Sequence, residues 1–477
     1  MTAWYVGNLA TAGTNSGSLA NPWKGFASVV WASLAAGDTL NVIGSVEYTA
    51  YTPMGAHNGV EGSEVIIQSH GLGGQILASG DGSFMLDRSN TILYGVDIVG
   101  RVVLESAAAS YATKGYNLQV DSCTWESGGG LIFSNTDGGV SGDTEFGKIK
   151  LHNCDLSGVT GAVYLLGVGA FSRKVNGVEV SDCLIDGVTG SALELRFESA
   201  VTAGSYINDV IIKRNRITNV GSGGSGGQFI RLIANPSAEN IPSSDRFDIS
   251  DNYFDGDGLI GGANAIGGVA IQGYGKTSTS YENKYQRNVV KNSYGAYGGC
   301  NILVSNYVDI SANEISNITA GTIDANGILI DYYNNHIKAY NNTMANINGK
   351  VGAHNSGAAV MILYNTQDVH VHHNRSIRSR IGLYHGGITS DNIVSNDNEF
   401  LECTVEGLFH TSSANPVVIN NRFTGYGASS TSIVSVQNNS NLTHGYNSFE
   451  NFTNAPVNQT LNATESTSKI SKFGGTL

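Results

Sequence analysis

The chain has 477 residues and a formal net charge of −13, with only 14% of its residues charged. That balance disfavours a nucleic-acid polyanion as partner. The 62 glycines, with frequent Asn, Thr and Val, argue against a helical fold. They leave a surface of Ser, Thr, Asn, Gly and Tyr, suited to polyhydroxylated partners such as sugars or simply to a soluble β-rod.

The opening, Met1-Thr2-Ala3-Trp4-Tyr5-Val6, lacks the basic start and apolar run of a signal peptide. No later stretch is long enough to span a membrane. The expectation is an extracellular or virion-associated protein with no signal peptide in this chain and no membrane partner. Asn21 to Leu34 reads as a short helix: Pro22 stands early, and Trp23, Phe26, Val30 and Leu34 form an apolar stripe. A helix there would cap an open solenoid end. Ala36-Gly37-Asp38-Thr39-Leu40-Asn41-Val42-Ile43 follows as a first strand, so residues 1–45 are read as a cap.

From there a frame repeats. Cys123, Cys154, Cys183, Asn215, Asn252, Asn288, Asn313, Asn342, Asn374, Asn398, Asn421 and Asn447 stand 23 to 37 residues apart. Most have an apolar or small residue three before and another two after. In Val308-Asp309-Ile310-Ser311-Ala312-Asn313-Glu314-Ile315, alternation gives one buried and one wet face, then a two-residue bend, then a second strand. A third apolar run follows in each unit, as in Ala192 to Phe197, Val269-Ala270-Ile271 and Gly327 to Ile330. Three short strands per unit cannot bury their own apolar face; stacking in register closes the core. The predicted fold is all-β, a right-handed parallel β-helix over residues 46–457. Its Asn column hydrogen-bonds inside the bend, with Cys replacing Asn as a small buried hydrophobe. About a dozen framed coils, with one or two more before Cys123, at the strand spacing make a rod roughly 60–65 Å long. Residues 458–477 read as a polar tail. Of the five cysteines, three fall on the column and Cys300 and Cys403 in other strands. No metal-ligand spacing appears, so all are read as buried free thiols.

The opening Trp4-Tyr5-Val6, Gly13-Thr14, Gly17 to Trp23 and Ala36-Gly37-Asp38-Thr39-Leu40-x-Val42, together with the Asn column, resembles the right-handed β-helix superfamily similar to pectate lyases. Phage tailspike-type depolymerases belong to this superfamily. The resemblance implies polysaccharide cleavage as the commonest activity. Its catalytic sets are not found: neither the Asn-Thr-Asp, Asp-Asp and Gly-His-Gly set of polygalacturonases nor the calcium cluster of one pectate lyase family. Gly382-Leu383-Tyr384-His385-Gly386 matches the Leu-Arg-His-Gly of alginate- and chondroitin-type lyases only faintly, without the arginine.

The outward strand positions are then the place to look for a ligand-binding face. Alternation buries Leu193, Leu195 and Phe197 and exposes Glu194, Arg196 and Glu198, three charges on one face. Later coils offer Arg231, Gln272, Asp331, Tyr333, Tyr364, and then Tyr384, His385 and His410, whose facing alternation leaves open. Glu194, Glu198 and Asp331 are the candidate acid/base residues. Arg196, Arg231, Gln272, Tyr333, Tyr364, Tyr384 and His385 are the candidate substrate-binding residues. Glu194 and Glu198 lie about 13 Å apart on one strand, wider than glycosidase carboxylate pairs at roughly 5–9.5 Å. A partner must come from a loop, such as those with Asp255 and Asp257, Lys276 and Glu282, or Asp324, or from a neighbouring subunit in a homotrimer. His370 and His372 face outward on another column but lack a third ligand of matching frame, so no metal site is assigned. No cofactor is expected, except calcium if the enzyme is a lyase. The reading is an enzyme cleaving glycosidic bonds of an extracellular polysaccharide, with hydrolysis favoured. The alternatives are β-elimination on a uronic-acid polymer and a non-catalytic glycan-binding spike or adhesin.

Overall fold

The computed structural model describes residues 1–8, 16–48, 57–71, 73–78, 83–85, 89–105, 116–134, 144–166, 173–197, 205–221, 227–234, 242–256, 267–294, 298–320, 325–350, 356–386, 392–411, 416–426, 430–435 and 443–454. They group into two compact units, Met1–Ile217 and Thr218–Leu477. Each is a stretch of right-handed parallel β-helix with short strands in sets of three. In the second unit, one coil runs Asn306–Ser311, Glu314–Thr319, Ile328–Asp331, and the next Asn335–Tyr340, Thr343–Asn348, Ala358–Leu363. Among the described residues of these coils, each strand pairs in parallel with its equivalent in the adjacent coil, forming a first, second and third sheet.

The register turns sequence alternation into columns. Val308, Ile337, Val369 and Ile393 stack on the first sheet; Ile328, Val360, Leu383 and Leu408 stack on the third. All eight are buried. On the second sheet Phe400, Phe423 and Phe449 stack ring on ring at 5.3 and 4.9 Å. A single coil has no opposite layer to bury these side chains against, so stability rests on stacking neighbours.

The bend between first and second sheets explains the frame. The residue before each column position is left-handed, from Ser122 to Tyr446, with φ of +51° to +61°. Such a conformation costs an L-residue roughly 1–2 kcal/mol, and the buried amides offset it. Asn342 Oδ1 accepts from the Asn313 backbone N–H and Nδ2 at 3.0 and 2.9 Å. Its Nδ2 donates to Ile310 O and to Asn374 Oδ1, both at 2.9 Å. The same ladder runs from Asn252 to Asn447. In the first unit Cys183 fills the position, its Sγ 3.2 Å from Ser181 O, while its backbone N–H donates to Asn215 Oδ1 at 3.0 Å. All five cysteines are free and buried.

The expected capping helix is corrected. Trp23–Lys24 is a strand beside Val6–Gly7, followed by two 3-10 turns, Phe26–Ser28 and Trp31–Ser33. Two features stop a helix. Gly25 enters at φ +74°, ψ 165° without a side-chain cap, and the β-branched Val29 and Val30 lie outside the helical region between the turns. Val30 is 53% exposed, and Val29 and Trp31 bury in its place. Ala3–Gly7 precedes the expected first strand and pairs with it, Val6 opposite Val42. The stretch 458–477 lies outside the described residues. Among the described residues no helix is long and apolar enough to cross a membrane.

Candidate functional site

In the first unit, Leu193, Leu195 and Phe197 are buried as alternation requires, but Glu194 is only 5% exposed. Its carboxylate accepts a hydrogen bond from Arg196 Nε two residues along the same face. The two charges satisfy each other, which lets the carboxylate leave water. The expected exposed Glu194 is thus a paired, buried group. Glu198 lies outside the described residues. A cavity of about 310 Å³ on this unit's first sheet is lined by Asn117, Gln119, Lys148, Lys150, Glu179 and Asp209, among others. Its lysines are engaged: Lys148 pairs with Glu61, and Lys150 Nζ lies 3.6 Å from Glu179 Oε1.

In the second unit the outer positions of the third sheet form two columns. One holds Arg231, Ala270, Asn301, Leu329, Met361, Tyr384 and Phe409. The other holds Gln272, Leu303 and Asp331. Arg231 and Gln272 therefore stand in different columns, and Gln272 is two strand spacings, about 10 Å, from Asp331. Tyr384 packs with Leu329, Met361 and Phe409 and stacks on Phe409 at 4.9 Å, so it is a covered apolar contact. His385 is a correction. It pairs with Ile362 on the inward column and is fully buried, its Nε2 3.5 Å from Ser395 Oγ. His410 stands next on that column, its ring 6.0 Å from that of His385. Burial and the second imidazole hold His385 down to about 3, so it is a neutral core residue.

Asp331 differs from every other candidate. It ends the strand Ile328–Asp331, flanked by Leu303, and its Oδ1 is buried with no hydrogen-bond partner. Burial pushes its carboxyl up to about 6, against the pull of the Tyr332 backbone N–H. The chain then turns a corner through two successive left-handed residues, Tyr332 and Tyr333, with φ of +49° and +51°. The corner is held by Asn334, which donates to Ile302 O and Asp331 O and accepts from the Ser305 N–H. Tyr364 occupies the next coil's corner. The Tyr332 and Tyr364 rings stack at 4.9 Å, yet each is 45% exposed. Tyr333 is half-buried beside them.

The structure thus brings together Asp331, Tyr333 and Tyr364 and adds Tyr332. Of the candidate loop residues, Asp255 accepts from Tyr253 and Asn292, and Lys276 and Glu282 are exposed. Asp257 and Asp324 lie outside the described residues. His370 and His372 face outward as expected, with ring centroids 4.3 Å apart. Among the described residues no three His, Cys, Asp or Glu converge as a metal site.

No protein-family model matches the chain, and no curated protein matches it by sequence. Among solved structures it is similar to a lacto-N-biosidase from Eubacterium ramulus, at 11% identity over 91% of this chain and 68% of that one, TM-score 0.37. It is similar to the catalytic unit of a thermostable α-1,3-glucanase from Streptomyces thermodiastaticus strain HF3-3, at 12% identity, 91% and 64% coverage, TM-score 0.35. It is also similar to a surface protein and adhesin of Streptococcus pneumoniae, at 14% identity, 79% and 92% coverage, TM-score 0.35. The chain spans about two thirds of the length of the first two. These are likenesses of fold, and none assigns a role to a residue here.

Proposed function

We propose that the chain is a carbohydrate-active enzyme that hydrolyses a glycosidic bond at Asp331. The observation that carries this reading is a half-buried carboxyl, protonated up to about pH 6, beside an exposed pair of stacked tyrosines. A protonated carboxyl can deliver its proton to the leaving glycosidic oxygen. Tyrosine rings offer the apolar faces and hydroxyl tips on which a sugar ring settles. Attack by water calls for a second carboxylate near the first. The column of Asp331 supplies none, since its neighbours are Leu303 and Gln272.

That last fact favours a second reading, a glycan-binding surface without catalysis. One experiment separates them: incubation with a panel of bacterial and algal polysaccharides, reading both reducing ends and the ultraviolet absorbance of unsaturated products. New reducing ends without the absorbance, abolished in Asp331→Asn, support hydrolysis. The absorbance would instead mean β-elimination, and Asp331 as a proton donor to the leaving oxygen in hydrolysis would be abandoned. Binding without any new ends supports the non-catalytic reading.

A further inference from the structure

Past the corner that follows Asp331, the chain enters Asn335–Tyr340, the first strand of the next coil, on the first sheet. The outer side of that sheet is a strip of rings and polar tips. Tyr281 meets Tyr307 at 5.9 Å, and Tyr307 stacks on His336 at 4.4 Å. Tyr340 lies parallel to His372 at 5.0 Å. Lys338 Nζ sits 4.0 Å over the Tyr281 ring. Tyr333 to Tyr340 spans at most about 23 Å along a strand, room for several sugar units.

Two independent observations say what the strip would hold. The first is a set of unsatisfied acceptors. Asn301 Oδ1, Asp309 Oδ1, Asp331 Oδ1 and Asn335 Oδ1 are all buried without a hydrogen-bond partner. They lie on three successive coils, on the third sheet, at the corner and on the first sheet. All four are oxygens that lack a donor, and a group left so costs about 1–3 kcal/mol. A ligand rich in hydroxyls brings donors; a polycarboxylate or sulfate brings more acceptors. The second observation is charge. Lys338 stands opposite Asp309 in the register, and His336 Nδ1 is 3.4 Å from Asp368 Oδ2. Lys284 also stands opposite Asp309 in the register, so the fixed charges Lys284, Lys338, Asp309 and Asp368 cancel, and Asp397 beside His372 leaves a surplus of one negative charge. Burial, with His370, His373 and Lys338 nearby, keeps His372 uncharged down to about pH 4. Such a strip gives a polyanion no cationic groove to settle in.

We infer that a glycan held at Asp331 runs along the coil, round the Tyr332 corner and onto the outer face of the first sheet, and that it is an uncharged polysaccharide rich in free hydroxyls. This rests on the carbohydrate reading of Asp331 but makes a separate claim about path and substrate class. Tyr307 and Tyr340 then act as substrate-anchoring residues remote from the bond that breaks.

The test uses the full chain carrying Asp331→Asn, which separates binding from turnover. Calorimetric titration would use gluco-, manno-, xylo- and galacto-oligosaccharides of graded length, and oligogalacturonates of matched length. The expected result is that at least one neutral series binds with affinity rising with length, while oligogalacturonates do not bind at neutral pH and low salt. Adding Tyr340→Ala or Tyr307→Ala should weaken the longest neutral oligomers at least tenfold and leave the shortest unchanged. Unchanged thermal midpoints exclude misfolding, and Tyr340→Phe, which keeps the ring, should retain most of the affinity. Binding of oligogalacturonates as tight as that of neutral oligomers, equal loss at every length, or no binding by any oligosaccharide overturns the inference. Length-dependent neutral binding with no turnover by the unmutated protein would leave the inference standing and remove the catalytic role of Asp331.

Discussion

His385 offers a test of the core that is independent of function. It occupies the inward position held by Ile302, Ile330 and Ile362 in the preceding coils. Burial and His410 keep its imidazole neutral down to about pH 3, whereas in an unfolded chain it protonates near 6.5. The unfolded state therefore binds the extra proton first. The stability tied to neutral His385 is full above pH 6.5 and is lost progressively as pH falls toward 3. The linkage amounts to about 2 kcal/mol at pH 5 and about 4 kcal/mol at pH 3, from an ordinary histidine value of 6.5. His385→Ile, which installs the residue this column already uses, should remove that slope. The assay is urea unfolding of both proteins from pH 7.5 to 5. Carboxylates contribute equally to both, so the difference isolates the histidine. A parallel pH dependence in the two proteins would refute the placement of a neutral imidazole in the core.

Three further outcomes follow from the geometry. Asn342→Leu removes the acceptor of the Asn313 N–H and the donor to Ile310 O, and leaves Asn313 Nδ2 only its bond to Tyr285 O, a loss of roughly 2–6 kcal/mol. Asn342→Cys should cost less, because cysteine already fills this position in the first unit; a loss below 1 kcal/mol for the leucine variant would contradict the ladder. All five thiols are buried, so the native protein should resist an aromatic disulfide reagent and release five equivalents only after denaturation. Prompt reaction of any one would contradict its place in the core. Tyr332→Ala or Tyr364→Ala should raise KM about tenfold with kcat little changed, as expected for uniform binding; a fall in kcat alone would deny them the platform role.

The parts of the fold that were legible are those with a strict period. The Asn frame is visible because one left-handed residue and one amide must recur in every bend, whatever the loop lengths between. The capping helix was not, because a 3.6-residue stripe from Trp23 to Leu34 also fits two short turns separated by extended valines. Asp331 is the one charged residue closing the apolar run Ile328–Asp331, and Tyr364 follows the apolar run Ala358–Leu363 at a corner, so a polar tip at the end of each run marked them as candidates. His385 could not be placed, since all six residues of Ile381–Gly386 are buried and alternation then carries no facing signal. Tyr332, Tyr307 and His336 were missed because each is left-handed, which breaks the two-residue period that assigns a side chain to a face.

The most direct test of the account is the pH profile of polysaccharide cleavage by the unmutated protein beside Asp331→Asn. A general acid works only while protonated, so the rate should fall as pH rises through about 6, and Asp331→Asn should lose at least a hundredfold across the range. A substrate that is cleaved equally well by the variant, or with a rate indifferent to pH between 5 and 8, would place the chemistry elsewhere on the chain.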